Sequence, residues 1–280
     1  MKTRQPFRAL RILKGELLLV ALAAILVLPL GSFCTAATIF HEDFESYAEG
    51  SNLSGQGGWT GDRTLVGNSS NMGSMVANGR LTDGCSGLAV SFNLFPESLT
   101  TCSSVYTLTF DAYATTDSPQ AHNSAMRFYS TSEGKGQVGW AMSNNPGGHW
   151  PPYTGGGWIF DARYITGAEA GSLDNLEYFD GGCDQVVSLS IILDAYNLEV
   201  WGIADFGTET YETGHYAILA EKLLGIDGAS MDQDYRIGAG EFDNITVTAN
   251  AVPAPATVLL LGSGLIGLAG LRRRSRRGTA

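Results

Sequence analysis

Residues 187–203 read Val187-Ser188-Leu189-Ser190-Ile191-Ile192-Leu193-Asp194-Ala195-Tyr196-Asn197-Leu198-Glu199-Val200-Trp201-Gly202-Ile203. Val187, Leu189, Ile191 and Leu193 are apolar and Ser188 and Ser190 between them are polar. That period of two places successive side chains on opposite faces of a strand. The few residues around Tyr196-Asn197 part this run from a second apolar stretch over 198–203, so the pair reads as a hairpin. The same alternation occurs over 105–113: Tyr106, Leu108, Phe110 and Ala112 share one face, and Thr107, Thr109 and Asp111 the other.

Outward from these two segments, strand-like runs recur at 38–45, 88–92, 125–130, 137–142, 158–164, 235–239 and 242–249. Clusters of Gly, Pro, Asn, Asp and Ser divide them. Only 216–224 has helix-like composition, enough for a short turn of helix. Many strands, 36 glycines and little helix point to an all-β sandwich rather than an α/β fold. No repeat with a period of about 20–50 residues is visible, which argues against a propeller or solenoid.

Both ends differ from this body. Lys2, Arg4, Arg8, Arg11 and Lys14 precede an apolar run over 17–33, and Cys34-Thr35-Ala36-Ala37 follows. This is the layout of a signal peptide cleaved after Ala37, with a retained membrane anchor as the alternative. At the other end, 249–255 reads as a semi-rigid spacer around Val252-Pro253-Ala254-Pro255. An apolar helix over 257–271 and Arg272, Arg273, Arg274, Arg276 and Arg277 complete the tail. As a helix, 256–271 spans about 24 Å, short of the roughly 30 Å hydrocarbon core, so it is a marginal transmembrane segment. Its arginines would lie on the cytoplasmic side and the body outside. The expected layout is a signal helix over 1–37, a sandwich over 38–249 and a tail over 250–280.

Setting the two ends aside leaves seven of the 17 basic and 27 of the 28 acidic residues in the body, a formal charge of about −20. Such a surface argues against nucleic acid and for a soluble, self-repelling protein. The body cysteines are Cys85, Cys102 and Cys183. A Cys85–Cys102 pair across a short loop would leave Cys183 outside it, and other pairings stay open.

No catalytic constellation is recognisable. Glu177-Tyr178-Phe179-Asp180 puts its carboxylates three apart, on opposite faces of a strand. His41, His122, His149 and His215 lack zinc spacing, and no nucleophile elbow or phosphate loop occurs. Asp43 and Glu45 near the first strand and Asp243 on the last would suit a structural calcium ion if the two strands are neighbours. The richest aromatic cluster runs over 149–158, where Trp150, Tyr153 and Trp158 suit stacking on sugar rings. Trp59, Trp140 and Trp201 are expected in the core.

The entry Asp43-Phe44-Glu45-Ser46-Tyr47 with Gln56-Gly57-Gly58-Trp59, the late hairpin over 189–203 and the closing Glu241-Phe242-Asp243-Asn244-Ile245-Thr246-Val247 resemble jelly rolls of the concanavalin A-like lectin/glucanase type. That resemblance implies adjacent first and last strands and says nothing of activity. The tail, from Val252-Pro253-Ala254-Pro255 to the arginines, resembles the PEP-CTERM sorting signal of Gram-negative bacteria. Ala254 stands where that family usually has Glu. This resemblance implies an exosortase-type membrane transpeptidase as partner, a cut near 253–255 and an association with exopolysaccharide, biofilm and surface material. The expectation is an exported protein, held in the inner membrane and then sorted to the cell surface or matrix, with a structural or polysaccharide-binding sandwich. Its alternatives are a secreted polysaccharide hydrolase and a plain C-terminally anchored envelope protein.

Overall fold

The computed structural model describes residues 36–62, 64–78, 86–92, 104–114, 125–130, 136–143, 157–163, 174–223, 225–233 and 240–251. In chain order the strands are β1 (Ala37–Glu42), β2 (Trp59–Gly61), β3 (Leu65–Asn68), β4 (Met75–Asn78), β5 (Ser86–Ser91) and β6 (Ser104–Tyr113). There follow β7 (Ala125–Tyr129), β8 (Gln137–Ser143), β9 (Gly157–Arg163), β10 (Asp174–Asp180), β11 (Val186–Asp194) and β12 (Glu199–Asp205). The last are β13 (Thr210–Glu212), β14 (Tyr216–Ala217), the short helix α1 (Ala220–Leu223), β15 (Gly228–Gln233) and β16 (Glu241–Ala251).

The first sheet is ordered β13-β12-β11-β6-β16-β4-β3, with β1 also on β16 and β14 also on β12. The second is ordered β10-β9-β8-β7-β15-β5-β2. Sequence-distant neighbours such as β6 with β16 and β7 with β15 pair antiparallel, giving the expected jelly-roll sandwich. The first and last strands do lie together, with Ala37 opposite Ala249. Residues Ala36–Ala251 form one compact unit.

Alternation in β6 and β11 drives the packing. Tyr106, Leu108, Phe110 and Ala112 meet Val187, Leu189, Ile191 and Leu193 in the interior, and all eight are buried. From the second sheet, Trp140 and Phe160 sit over Gly202, where a Cβ would come within 2.5 Å of Trp140 Cζ2. Trp140 Nε1 donates to the Ser190 carbonyl on the facing sheet at 2.8 Å. Gly202 is thus what lets the Trp140 and Phe160 rings approach the first sheet.

The turn after β1 closes the core. Phe44 is fully buried with a left-handed φ of 59°. Glu42 steadies this strained turn: its Oε1 accepts the Phe44 N–H at 3.0 Å and its Oε2 the Tyr47 hydroxyl at 2.7 Å. Burial and that carboxylate push the Tyr47 hydroxyl up to about 12. Gly57 passes so close that a Cβ would lie 2.2 Å from the Tyr47 hydroxyl, and its φ is +56°. The two segments that carried the family resemblance therefore pack on each other.

Several expectations need correction. The hairpin connects through 195–198, longer than the expected turn, because Asp194 Oδ1 accepts the N–H groups of Tyr196 and Asn197 and holds a wider loop. The last strand runs to Ala251, so 249–251 is not spacer. Residues 216–224 begin as β14 before the helical turn. Trp201 faces outward and is half-buried, because β12 buries Val200, Gly202 and Ala204 instead. The signal and tail helices, the run at 235–239, Cys85 and Cys102 fall outside the described residues. Among the described residues no helix is long and apolar enough to cross a membrane.

Candidate functional site

On the second sheet Met126, Phe128, Val138, Trp140, Phe160 and Ala162 point to the core. Arg127, Gly139 and Asp161, in register across β7, β8 and β9, therefore lie on the outer face. Arg127 Nε donates to Asp161 Oδ1 at 2.9 Å and Nη2 to Oδ2 at 2.6 Å, a two-pronged pair. Arg127 is 4% exposed and Asp161 2%. The arginine stem runs over Gly139, where a Cβ would meet Arg127 Cγ at 2.8 Å and the Met126 carbonyl at 2.2 Å. The next position along the row is Ser230 on β15, opposite Arg127. Its hydroxyl is buried and has no hydrogen-bond partner. Among the described residues Ser51 Oγ and the indole nitrogens of Trp59 and Trp158 share that state. The row continues to Ala89 and Thr60, and Ala125, Ala141 and Ile159 form the adjacent row. Ala125, Ala141 and Ile159 are buried as well, at 0%, 2% and 4% exposed, so these positions are closed to solvent.

A second polar cluster surrounds the bulge in β16, where register shifts between Asp243 and Thr246 and Asn244 is left-handed with φ 51°. Asp243 lies opposite Asp111 on β6. Ser74 Oγ donates to Asp243 Oδ2 at 2.5 Å, the Asn244 N–H to Asp243 Oδ1 at 2.7 Å, and Asn244 Nδ2 to Asp111 Oδ2 at 2.8 Å. Ser188 donates its hydroxyl to Asp111 Oδ1. Burial pushes the Asp243 carboxyl above its ordinary value; the Ser74 and Asn244 hydrogen bonds oppose that shift, while Asp111 and Glu45 reinforce it. Glu45 and Asp243 are thus brought near each other. Asp43 turns elsewhere: its Oδ1 accepts the Glu45 N–H at 3.2 Å and its Oδ2 lies 3.9 Å from His41 Nε2. Among the described residues no three His, Cys, Asp or Glu side chains are placed to hold a metal ion. Asp43, Glu45 and Asp243 do not make the calcium set of about six to eight oxygens.

The outward-facing Trp201 carries the third cluster. The His215 ring stacks flat on it, centroids 4.3 Å apart and planes 8° apart. Nδ1 lies 3.2 Å from Glu199 Oε2 and Nε2 3.2 Å from Glu212 Oε1. Those two hydrogen bonds raise the His215 pKa, with burial opposing. Close by, Glu177 Oε2 accepts the Gly214 N–H at 2.8 Å and the Tyr216 hydroxyl at 3.1 Å, tying the second sheet's edge to this segment. Burial and that contact push the Tyr216 hydroxyl up to about 12.

Of the three aromatic residues expected to stack on sugar, Trp158 is fully buried on the inner face of β9. Trp150 and Tyr153 lie in the connection 144–156 between β8 and β9, outside the described residues, as do Val252, Pro253, Ala254 and Pro255. Arg127, Asp161 and Ser230 escaped the sequence reading. Their only signal there was a charged residue inside each of two otherwise apolar strands, Ala125-Met126-Arg127-Phe128 and Ile159-Phe160-Asp161-Ala162.

Residues 251–274 match the PEP-CTERM protein-sorting motif. This is a signal for export and C-terminal sorting, and it implies processing by an exosortase. It covers the tail alone. No curated protein matches the chain. Among solved structures, lectin II from Ulex europaeus aligns with a TM-score of 0.46 and 10% identity, over 76% of this chain and 100% of the lectin. Lectin I from Ulex europaeus, in complex with the methyl glycoside of α-L-fucose, aligns at 0.47 and 12%, over 77% and 98%. A carbohydrate esterase, vb_24B_21 from the Shiga toxin-encoding bacteriophage phi24B, aligns at 0.45 and 11%, over 78% and 100%. None of these likenesses bears on ligand or activity.

Proposed function

We propose that this protein is an exported cell-surface or matrix protein with a structural or polysaccharide-binding sandwich. The observation that carries this reading is the sorting motif matched over 251–274, which follows an all-β body. The aromatic connection 144–156 between β8 and β9, with Trp150 and Tyr153, is the stretch whose residue types suit stacking on sugar rings. Asp161 is not available as a glycosidic acid or base, because Arg127 engages both of its oxygens.

In this reading residues 1–37 direct export, and the tail holds the body at the inner membrane until an exosortase cuts near 253–255. Affinity electrophoresis in polysaccharide gels and glycan arrays test the binding, with Trp150→Ala as control. Retardation by at least one polysaccharide, lost in that variant, is expected; mobility unchanged in every gel defeats the reading, and release of reducing ends moves it to the hydrolase. Intact mass of the mature protein tests the cut, and retention of the arginines refutes it.

A further inference from the structure

The last strand and the sorting motif share a residue. β16 runs to Ala251, and the matched motif begins at 251. The end of that strand is held from both sides. Ala249, Asn250 and Ala251 pair with Tyr106, Val105 and Ser104 on β6, and Ala249 also faces Ala37 on β1. Ala249 is buried. A cut within 253–255 thus lies two to four residues beyond a paired strand.

We propose that the end of β16 is a gate on the tail reaction: the folded body restricts processing until 249–251 leave β6 and β1. Enzymes that cut peptide bonds bind several residues on either side of the bond in extended, unpaired form, and folded chain reaches them only through local opening. Residues 249–251, on the amino side of the cut, belong to the sheet. The cut itself breaks one peptide bond, its carbonyl passing to a nucleophile supplied by the enzyme while the tail leaves with a new amino terminus. The gate therefore favours tails whose bodies have not finished folding, or bodies whose β16 end has frayed. This rests on the reading of the tail as a cleaved signal.

Two variants of the full chain test it in a host that carries the processing enzyme, by pulse labelling and intact mass. The first inserts Gly-Ser-Gly-Ser between Ala251 and Val252. The second, Asn250→Pro, leaves the matched motif intact and removes a strand residue's N–H at an exposed position. Loss of the tail should quicken in both, and on the order of tenfold in Asn250→Pro, the effect of one or two backbone hydrogen bonds on an opening equilibrium. Equal or slower loss from the spacer variant overturns the gate. Arginines retained in every form, including the parent, refute the cleaved-tail reading and the gate with it. Should Asn250→Pro fail to fold, the spacer variant, whose body is unchanged, decides alone.

Discussion

Asp111 and Asp243 stand directly opposite each other on β6 and β16, and Asn244 bridges them, its backbone N–H on one carboxylate and its side-chain amide on the other. Like charges facing across a ladder are unfavourable. The left-handed bulge at Asn244 is what brings both donors to bear. Four donors hold the pair: Ser74, Ser188 and the two groups of Asn244.

Asp243→Asn should therefore be tolerated and mildly stabilising at neutral pH. The folded-state pKa of Asp243 is raised, so the stability it contributes is fully present below the unfolded value of about 3.9 and is lost as pH rises through the folded one. At pH 7 the substitution should raise the melting midpoint by roughly 2 °C, the scale set by a fraction of 1 kcal/mol in a domain of this size. The gain should fade towards pH 4. A loss of several degrees at pH 7 would show that the charge itself is needed.

Breaking the Arg127–Asp161 pair on one side should cost far more than removing it. Arg127→Met or Asp161→Leu alone strands a buried charge, with an expected loss of about 3–5 kcal/mol. The double variant should recover most of it. Urea unfolding with m unchanged measures the cycle, and additive losses would contradict it.

Gly139→Ala tests the crossing between those residues. Its Cβ would meet the Met126 carbonyl at 2.2 Å, and a backbone atom within a sheet cannot yield cheaply. A loss of about 3 kcal/mol is expected by chemical denaturation. A near-neutral result would mean that the three strands are spaced more widely than described.

His215 offers a pH signature. Each ring nitrogen faces a carboxylate, an arrangement satisfied only when both carry protons. Its folded pKa is raised, so its contribution is fully present below the unfolded value of about 6.5 and is lost as pH rises through the folded one. Trp201 emission should change over that window, in step with the His215 ring signals by NMR. Glu199→Gln and Glu212→Gln should each move both transitions to lower pH. A His215 titration at or below the ordinary value in the parent contradicts the arrangement.

The fold was legible where alternation ran long. β6, β11 and β16 each carry an apolar residue at every second position for most of their length, and periodicity found them. β3, β4 and β13 have three or four residues, too few for a period to register. β10 holds Asp174, Glu177 and Asp180 in seven residues, and β15 reads Gly-Ala-Ser-Met-Asp-Gln with only Ala229 and Met231 facing the core, too little for a period to register. The site was less legible than the fold. Arg127 and Asp161 interrupt apolar strands 34 positions apart, and only strand register makes them neighbours. Trp201 misled because an aromatic residue in a strand is ordinarily core. Here Gly202 takes the inward position so that Trp140 can occupy the space above it.

The place of β16 also has a kinetic consequence. It is the last strand in the body, yet it lies inside the first sheet, with β6 along one side and β1 and β4 along the other. While the chain is being delivered amino end first, β1 has no partner until residues more than 200 positions later arrive, and β6 lacks one of its two neighbours. Contacts that distant in sequence close slowly. The first sheet is thus joined into one piece only once its final strand has arrived.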